Sequence, residues 1–426
     1  MAGPRIYNLF PSLVGPVSAW EEHLPRVAAM RFDWLFLNPI HQPGGSGSLY
    51  AVRDYYRLNP LFETSGGGSA DDLLRSFLRR AGEHGLSVML DLVINHTAND
   101  SPLVAEHPDW YQRNEDGSVR SPGAEDPTAP GGRVVWGDLA ELNFESASAR
   151  PALLGYFKGV VRHYARLGVH GFRCDAAYQV PGEVWKEIIA AGREAGAGVR
   201  FFAETLGAKP EQVAQLGTAG FDYFFNSSKW WDFHEPWLLE QYEQFRHVAP
   251  SIAFPESHDT QRLAEEKGGD EQQARLRYLF AALFSSGVMM PIGYEFGFRR
   301  KLHVVKTRPE HWEKPAYDLS PFVTAANEMK QRTPVLNEEG PQALVTSPED
   351  SLVGLLRRSD HSAERVLVLI NIDPKTAREF PLSEMERALE ANRVSIQEIT
   401  PCASGGPPQG DTVAVSPSSA RVFHRG

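Results

Sequence analysis

Four short runs in this chain of 426 residues carry polar groups able to do acid–base chemistry. They are Asp91-Leu92-Val93-Ile94-Asn95-His96, Gly171-Phe172-Arg173-Cys174-Asp175-Ala176, Phe201-Phe202-Ala203-Glu204 and Pro255-Glu256-Ser257-His258-Asp259. Local structure does not call for carboxylates, histidines and an arginine at the ends of such apolar runs. If the runs are strands of a parallel barrel, their carboxyl ends meet on one face, where catalytic groups collect. Asp175, Glu204 and Asp259 then project into one cleft from three different strands. Carboxylates held close together repel, so their pKa values split. One ionised and one protonated carboxyl is the pair that cleavage of a glycosidic bond requires, as nucleophile and acid. Arg173 lies two residues before Asp175, so in a strand both side chains point the same way. A fixed cation there holds Asp175 ionised, and His96 and His258 can donate hydrogen bonds to sugar hydroxyls.

The elements that must position these groups follow a regular alternation. Strands are predicted over 5–10, 34–38, 87–91, 171–175, 200–204, 221–225, 252–256 and 288–292. Helices are predicted between several of them, at 70–83 with a cap at Gly85, 148–167 and 183–195. Eight strand–helix units point to a parallel sheet with covering helices. That number fits a closed (β/α)₈ TIM barrel, although counting alone leaves an open doubly wound sheet available. Residues 97–145 are rich in Pro, Gly and Asp with little helical period, and read as an excursion (a B domain) after the third strand. Residues 341–426 read as antiparallel strands over 344–357, 365–372, 394–399 and 412–423, a small β-sandwich. The barrel accordingly comprises 1–96 and 146–340. A net charge of −11 argues against sequence-independent nucleic-acid binding. Two cysteines form no disulfide framework, and no membrane span or secretory leader is visible, so a cytoplasmic location is the expectation.

The same residues resemble the α-amylase family, glycoside hydrolase family 13, over residues 5–340 and in family order. The resemblance implies that Asp175 is the nucleophile and Glu204 the general acid/base, with Asp259 distorting the bound sugar. It implies substrate-binding roles for Arg173, His96 and His258. The Ser48-Leu49-Tyr50-Ala51-Val52-Arg53-Asp54-Tyr55 segment implies Tyr50 as an aromatic platform under the reacting sugar and Asp54 as a nearby support. Trp136-Gly137-Asp138-Leu139 to Asn143 resembles a further family motif in the excursion. The implied activity is a retaining hydrolase of α-1,4-linked glucose oligomers, working through a glycosyl-aspartate with the two carboxyl groups about 5–5.5 Å apart. The implied partner is an α-glucan or maltooligosaccharide, with no nucleic acid and no membrane.

The chain also departs from the family. Ser257 replaces the usual Asn before the His-Asp pair, and Tyr178-Gln179 replaces the Lys-His that follows the nucleophile. Asn95 and Asp138 match two family calcium positions in an incomplete set, so no cofactor is expected to be required. The Asp-Tyr-Tyr-x-x-Asn-Pro stretch faintly resembles the family's maltosyltransferases, which makes a transglycosylase passing a glycosyl unit to a sugar or phosphate the alternative. A non-catalytic binding protein on this scaffold is the third reading, disfavoured by the three intact carboxylates. Trp230, Trp231, Phe233 and Trp237 stand open between sugar stacking and loop packing. Asp91 reads as a support for Arg173, Glu295 as structural and Cys174 as a small buried hydrophobe.

Overall fold

A computed structural model describes residues 3–64, 66, 68–125, 132–403 and 405–426. Eight parallel strands close into a barrel: β1 (Arg5–Leu9), β2 (Trp34–Leu37), β3 (Ser87–Leu92), β4 (Gly171–Cys174), β5 (Arg200–Glu204), β6 (Tyr223–Phe225), β7 (Ser251–Ala253) and β8 (Gly287–Pro291). They pair in sequence order, and β8 returns to β1. Closure excludes the open doubly wound sheet. Each predicted strand is present to within a few residues, with β6 and β7 the shortest at three residues each.

Two-residue alternation sorts the side chains. Ile6, Trp34, Phe36, Met89, Phe202, Phe225, Ile252 and Met289 fill the barrel interior. Their neighbours Tyr7, Leu35, Leu90, Phe172, Phe201 and Val288 face the helices in a second, larger core. Cys174 belongs to that outer layer and is fully buried, as its position in the alternation requires.

The helices follow from local signals. In helix Ala70–Glu83 the Ser69 hydroxyl accepts the Asp72 amide at 3.2 Å, and Gly85 beyond the other end takes a φ of +74°. Helix Arg150–Leu167 buries Leu153, Leu154, Phe157, Val160, Val161 and Tyr164, one stripe at three- and four-residue spacing. Among the described residues no helix is long and apolar enough to cross a membrane.

The stretch after β3 contains short paired strands, His96–Ala98 with Leu139–Glu141 and Gly123–Glu125 with Arg133–Val135. Residues 126–131 of the predicted excursion lie outside the described residues.

The C-terminal region is a five-stranded antiparallel sheet backed by a two-stranded one. Two of its predicted strands are each two. Residues 344–357 divide into Gln342–Leu344 and Leu352–Arg358, and 412–423 into Thr412–Val415 and Ser419–Arg425. Pro417 has no amide to extend the second ladder, and Ser418 turns at a φ of +48°. Helix Leu382–Leu389, absent from the sequence reading, covers this sheet with Leu382, Met385 and Leu389 against Leu367, Leu369 and Phe423.

Arg357 ties this sheet to the barrel. Its buried guanidinium donates to the carbonyls of Val335 (3.0 Å), Leu283 (2.8 Å), Phe284 (2.5 Å) and Glu338. Truncation orphans these buried acceptors together. Arg357→Ala is expected to destabilise the protein by about 3 kcal/mol or more, read as a fall in Tm. An unchanged Tm would show that the contacts are replaced by water at no cost.

Candidate active site

Arg173 is the centre of the site. Its guanidinium is almost wholly buried at the carboxyl end of β4, above the apolar plug of the barrel. The β4–β3 register sets Arg173 directly beside Asp91, and Nη1 donates to both Asp91 oxygens at 2.9 and 3.0 Å. Nη1 also donates to Asp175 Oδ1 at 2.7 Å. Nη2 lies 3.2 Å from Glu204 Oε2 and 3.9 Å from Asp259 Oδ2. One cation therefore gathers carboxylates from the ends of β3, β4 and β5 and from the loop after β7. The support read for Asp91 is a direct one.

Glu204 receives a second donor that the sequence did not reveal. The Ala176 amide donates to its Oε2 at 2.7 Å. Ala176 has φ 39° and ψ 47°, left-handed backbone for a residue with a Cβ. Such a conformation costs on the order of 1 kcal/mol and is found where function constrains the chain. Burial raises the Glu204 pKa most, Arg173 opposes, and Asp175 and Asp259 raise it further, leaving it at about 8. Glu204 thus holds its proton at neutral pH, as an acid must.

Tyr50 is fixed from several sides. Its hydroxyl donates to Asp91 Oδ2 at 2.6 Å and accepts from Asn38 Nδ2 at 3.0 Å. His258 Nε2 lies 2.6 Å from the same hydroxyl and 3.1 Å from Asp259 Oδ2, and its ring stacks on Tyr50 at 5.6 Å. With the tyrosine proton given to Asp91, the His258 ring hydrogen sits on Nε2. Burial lowers the pKa of His258 and keeps it neutral. His96 Nε2 donates to the Tyr50 carbonyl at 3.1 Å. The two predicted sugar-binding histidines thus spend their Nε2 hydrogens on Tyr50 and Asp259, and their buried Nδ1 atoms have no partner. Asn38, at the end of β2, was not singled out in the sequence. Its signal is the same as for the others, a polar residue ending an apolar strand.

Ser257 replaces the family asparagine without loss of order. Its hydroxyl accepts the Asp259 amide at 3.2 Å, while Thr260 Oγ1 accepts the Ser257 amide at 3.0 Å. This turn presents Asp259 with its carboxylate half exposed at the rim.

Asp54 lies apart from this cluster. Its carboxylate accepts the Tyr56 amide at 2.8 Å and stands 3.6 Å from Arg57, and no contact with the cleft groups is made among the described residues. The hairpin pairing His41–Pro43 with Val52–Leu58 carries register irregularities, so position in the motif does not fix which way Asp54 faces.

Asn95 and the Asp138 backbone each make a contact within the chain. Asn95 Nδ2 donates to Gln179 Oε1 at 3.2 Å, leaving one buried Asn95 oxygen unpartnered. The backbone carbonyl of Asp138 accepts the Asn99 amide. No group of three or more His, Cys, Asp or Glu able to hold a metal occurs among the described residues.

The aromatic cluster after β6 divides. Trp231 and Phe233 are buried against Phe280, with the Trp231 indole donating to the Glu235 carbonyl at 2.7 Å. Trp237 is half-buried, and Trp230 stands 52% exposed. Glu295 is structural, buried with Tyr7 and Arg26.

Residues 3–115 match the family model described as "Glycogen debranching enzyme, glucanotransferase domain". The α-1,4-glucan:maltose-1-phosphate maltosyltransferase of Burkholderia pseudomallei is 30% identical over 383 residues, covering 87% of this chain and 33% of that protein. The enzyme of the same name from Myxococcus xanthus is 27% identical over 388 residues, covering 84% and 56%. The chain thus spans about a third to a half of the length of these curated relatives. In fold it matches an α-amylase from Lactobacillus plantarum, with TM-score 0.77, 20% identity and 99% and 98% of the two chains covered. It also matches an α-amylase from Geobacillus thermoleovorans, with TM-score 0.76, 17% identity and the same coverage.

Proposed function

We propose that this chain, which belongs to the α-amylase family and is related to its maltosyltransferase branch, cleaves an α-glucosidic bond with retention through a glycosyl-Asp175 intermediate. The observation that carries the reading is the set of carboxylates gathered on Arg173, with Glu204 protonated beside Asp175 bonded to that cation. Asp175 Oδ1 is engaged by Arg173, which leaves Oδ2 to attack the anomeric carbon. Glu204 Oε2 accepts from Ala176, which leaves Oε1 to carry the proton. That proton passes to the leaving oxygen as the C–O bond breaks. The resulting Glu204 carboxylate then takes the proton of the incoming hydroxyl, which attacks the anomeric carbon and releases Asp175. Asp259 holds sugar hydroxyls and the Tyr50 ring lies beneath the reacting sugar.

The incoming hydroxyl belongs to a second sugar in the reading favoured here. The support is the maltosyltransferase relatives, alike over most of this chain, whereas the likeness to solved α-amylases speaks to fold alone. Hydrolysis, with water as acceptor, is the second reading and uses the same carboxylates. Product analysis by mass spectrometry separates them. Maltotetraose given alone, with maltose 1-phosphate or with orthophosphate should yield longer chains or phosphate-dependent products. Shorter sugars alone, under every condition, would reject transfer and leave hydrolysis.

A further inference from the structure

Outward from Glu204, the cleft wall continues through Leu206, which lines it together with Arg173, Ser257 and Asp259. The next residue, Gly207, takes a φ of +73° and is bare, and the Trp230 ring packs on it, 3.6 Å from where a Cβ would sit. The loops after β5 and β6 are stitched together here, the Gly207 amide donating to Ser227 Oγ at 3.0 Å. Trp230 itself is held at its base. Its amide donates to the Ser227 carbonyl at 3.1 Å, Lys229 pairs with Glu266 at 2.9 Å, and Trp231 is anchored in the core. The Trp230 indole thus rests on Gly207 and is otherwise half exposed, with no hydrogen bond or ring contact of its own among the described residues.

We infer that Trp230 is the stacking platform for the acceptor saccharide, taking the apolar face of a glucopyranose ring beyond the bond being broken or made. Its place decides which side of the bond it serves. Glu204 protonates the leaving oxygen, so the sugar on that oxygen lies along the loop that follows Glu204, and Trp230 covers that loop. The family's Lys-His at the leaving-group side is Tyr178-Gln179 here, and Gln179 is engaged by Asn95. A bound acceptor competes with water for the glycosyl-enzyme, so a platform there favours transfer. This rests on the glycosyl-Asp175 reading above and adds the residue that selects the acceptor.

The test is the acceptor KM and the transfer-to-hydrolysis ratio of Trp230→Ala and Trp230→Phe, with maltotetraose as donor and labelled maltotriose as acceptor. Trp230→Ala should raise the acceptor KM and lower the ratio by about tenfold, the loss expected for one aromatic stack. Trp230→Phe, which keeps a ring, should recover most of both. Equal values in all three proteins, each shown folded by its melting curve, would overturn the inference while leaving the intermediate intact. A wild-type enzyme that acts on no α-glucan would instead overturn the proposed function, and this inference with it.

Discussion

Asp175→Asn is expected to lower turnover by roughly four to six orders of magnitude while the protein stays folded. The amide is isosteric and still accepts from Arg173, but it cannot attack the anomeric carbon. The fold is spared for a specific reason. Arg173 keeps both Asp91 oxygens at 2.9 and 3.0 Å, so the buried cation is not left alone when Asp175 loses its charge. The check is kcat on a maltooligosaccharide together with a melting curve. A fluorinated α-glycosyl donor with a slow second step should add one glycosyl mass to the peptide holding Asp175. Near-wild-type turnover in the variant, or label on another peptide, would remove Asp175 from the nucleophile role.

Glu204→Gln is expected to cost about 10²–10⁴ in rate on substrates with poor leaving groups. On an activated aryl α-glycoside the loss should be far smaller, because that leaving group departs unprotonated. The pH dependence supplies a second readout. Burial and the neighbouring carboxylates raise Glu204 to about 8, so the acid form persists through neutrality and is lost as pH rises through that value. Wild-type kcat/KM should therefore fall above about 8, and the fall should vanish in Glu204→Gln. The folded state also holds a proton that the unfolded chain releases at the ordinary carboxylate pKa of 4.5. Stability from this group is complete below that value and declines as pH rises through about 8, a slope the variant should lack. An alkaline limb unchanged in the variant would assign it to another group.

Much of this site was legible because strands impose a two-residue period. Once Gly171-Phe172-Arg173-Cys174 is a strand, Arg173 and Asp175 share the face opposite Phe172 and Cys174. The structure buries the latter pair among the helices. The same rule sets Glu204 on the side of Phe202, and the four strand ends announced themselves by polar groups that no local turn requires. Legibility failed where direction depends on irregular backbone. Ala176 bends into left-handed space, where its amide meets Glu204. Asp54 turns toward Tyr56 within a hairpin whose register slips. Trp230 and Trp231 are adjacent in sequence and opposite in fate, one against Gly207 and the other in the core.

The sequence by itself determined the order of the barrel strands, the inward or outward side of their residues, and which carboxylates were available for chemistry. Those properties are local, set by periodicity, propensity and caps within a few residues. The closing of β8 on β1, the meeting of Asp91, Asp175, Glu204 and Asp259 around one guanidinium, and the proton that Glu204 keeps were decided only by the tertiary structure. Each depends on distance and burial between residues far apart along the chain. Electrostatic energies change steeply with both, and nothing in a short window of sequence carries them.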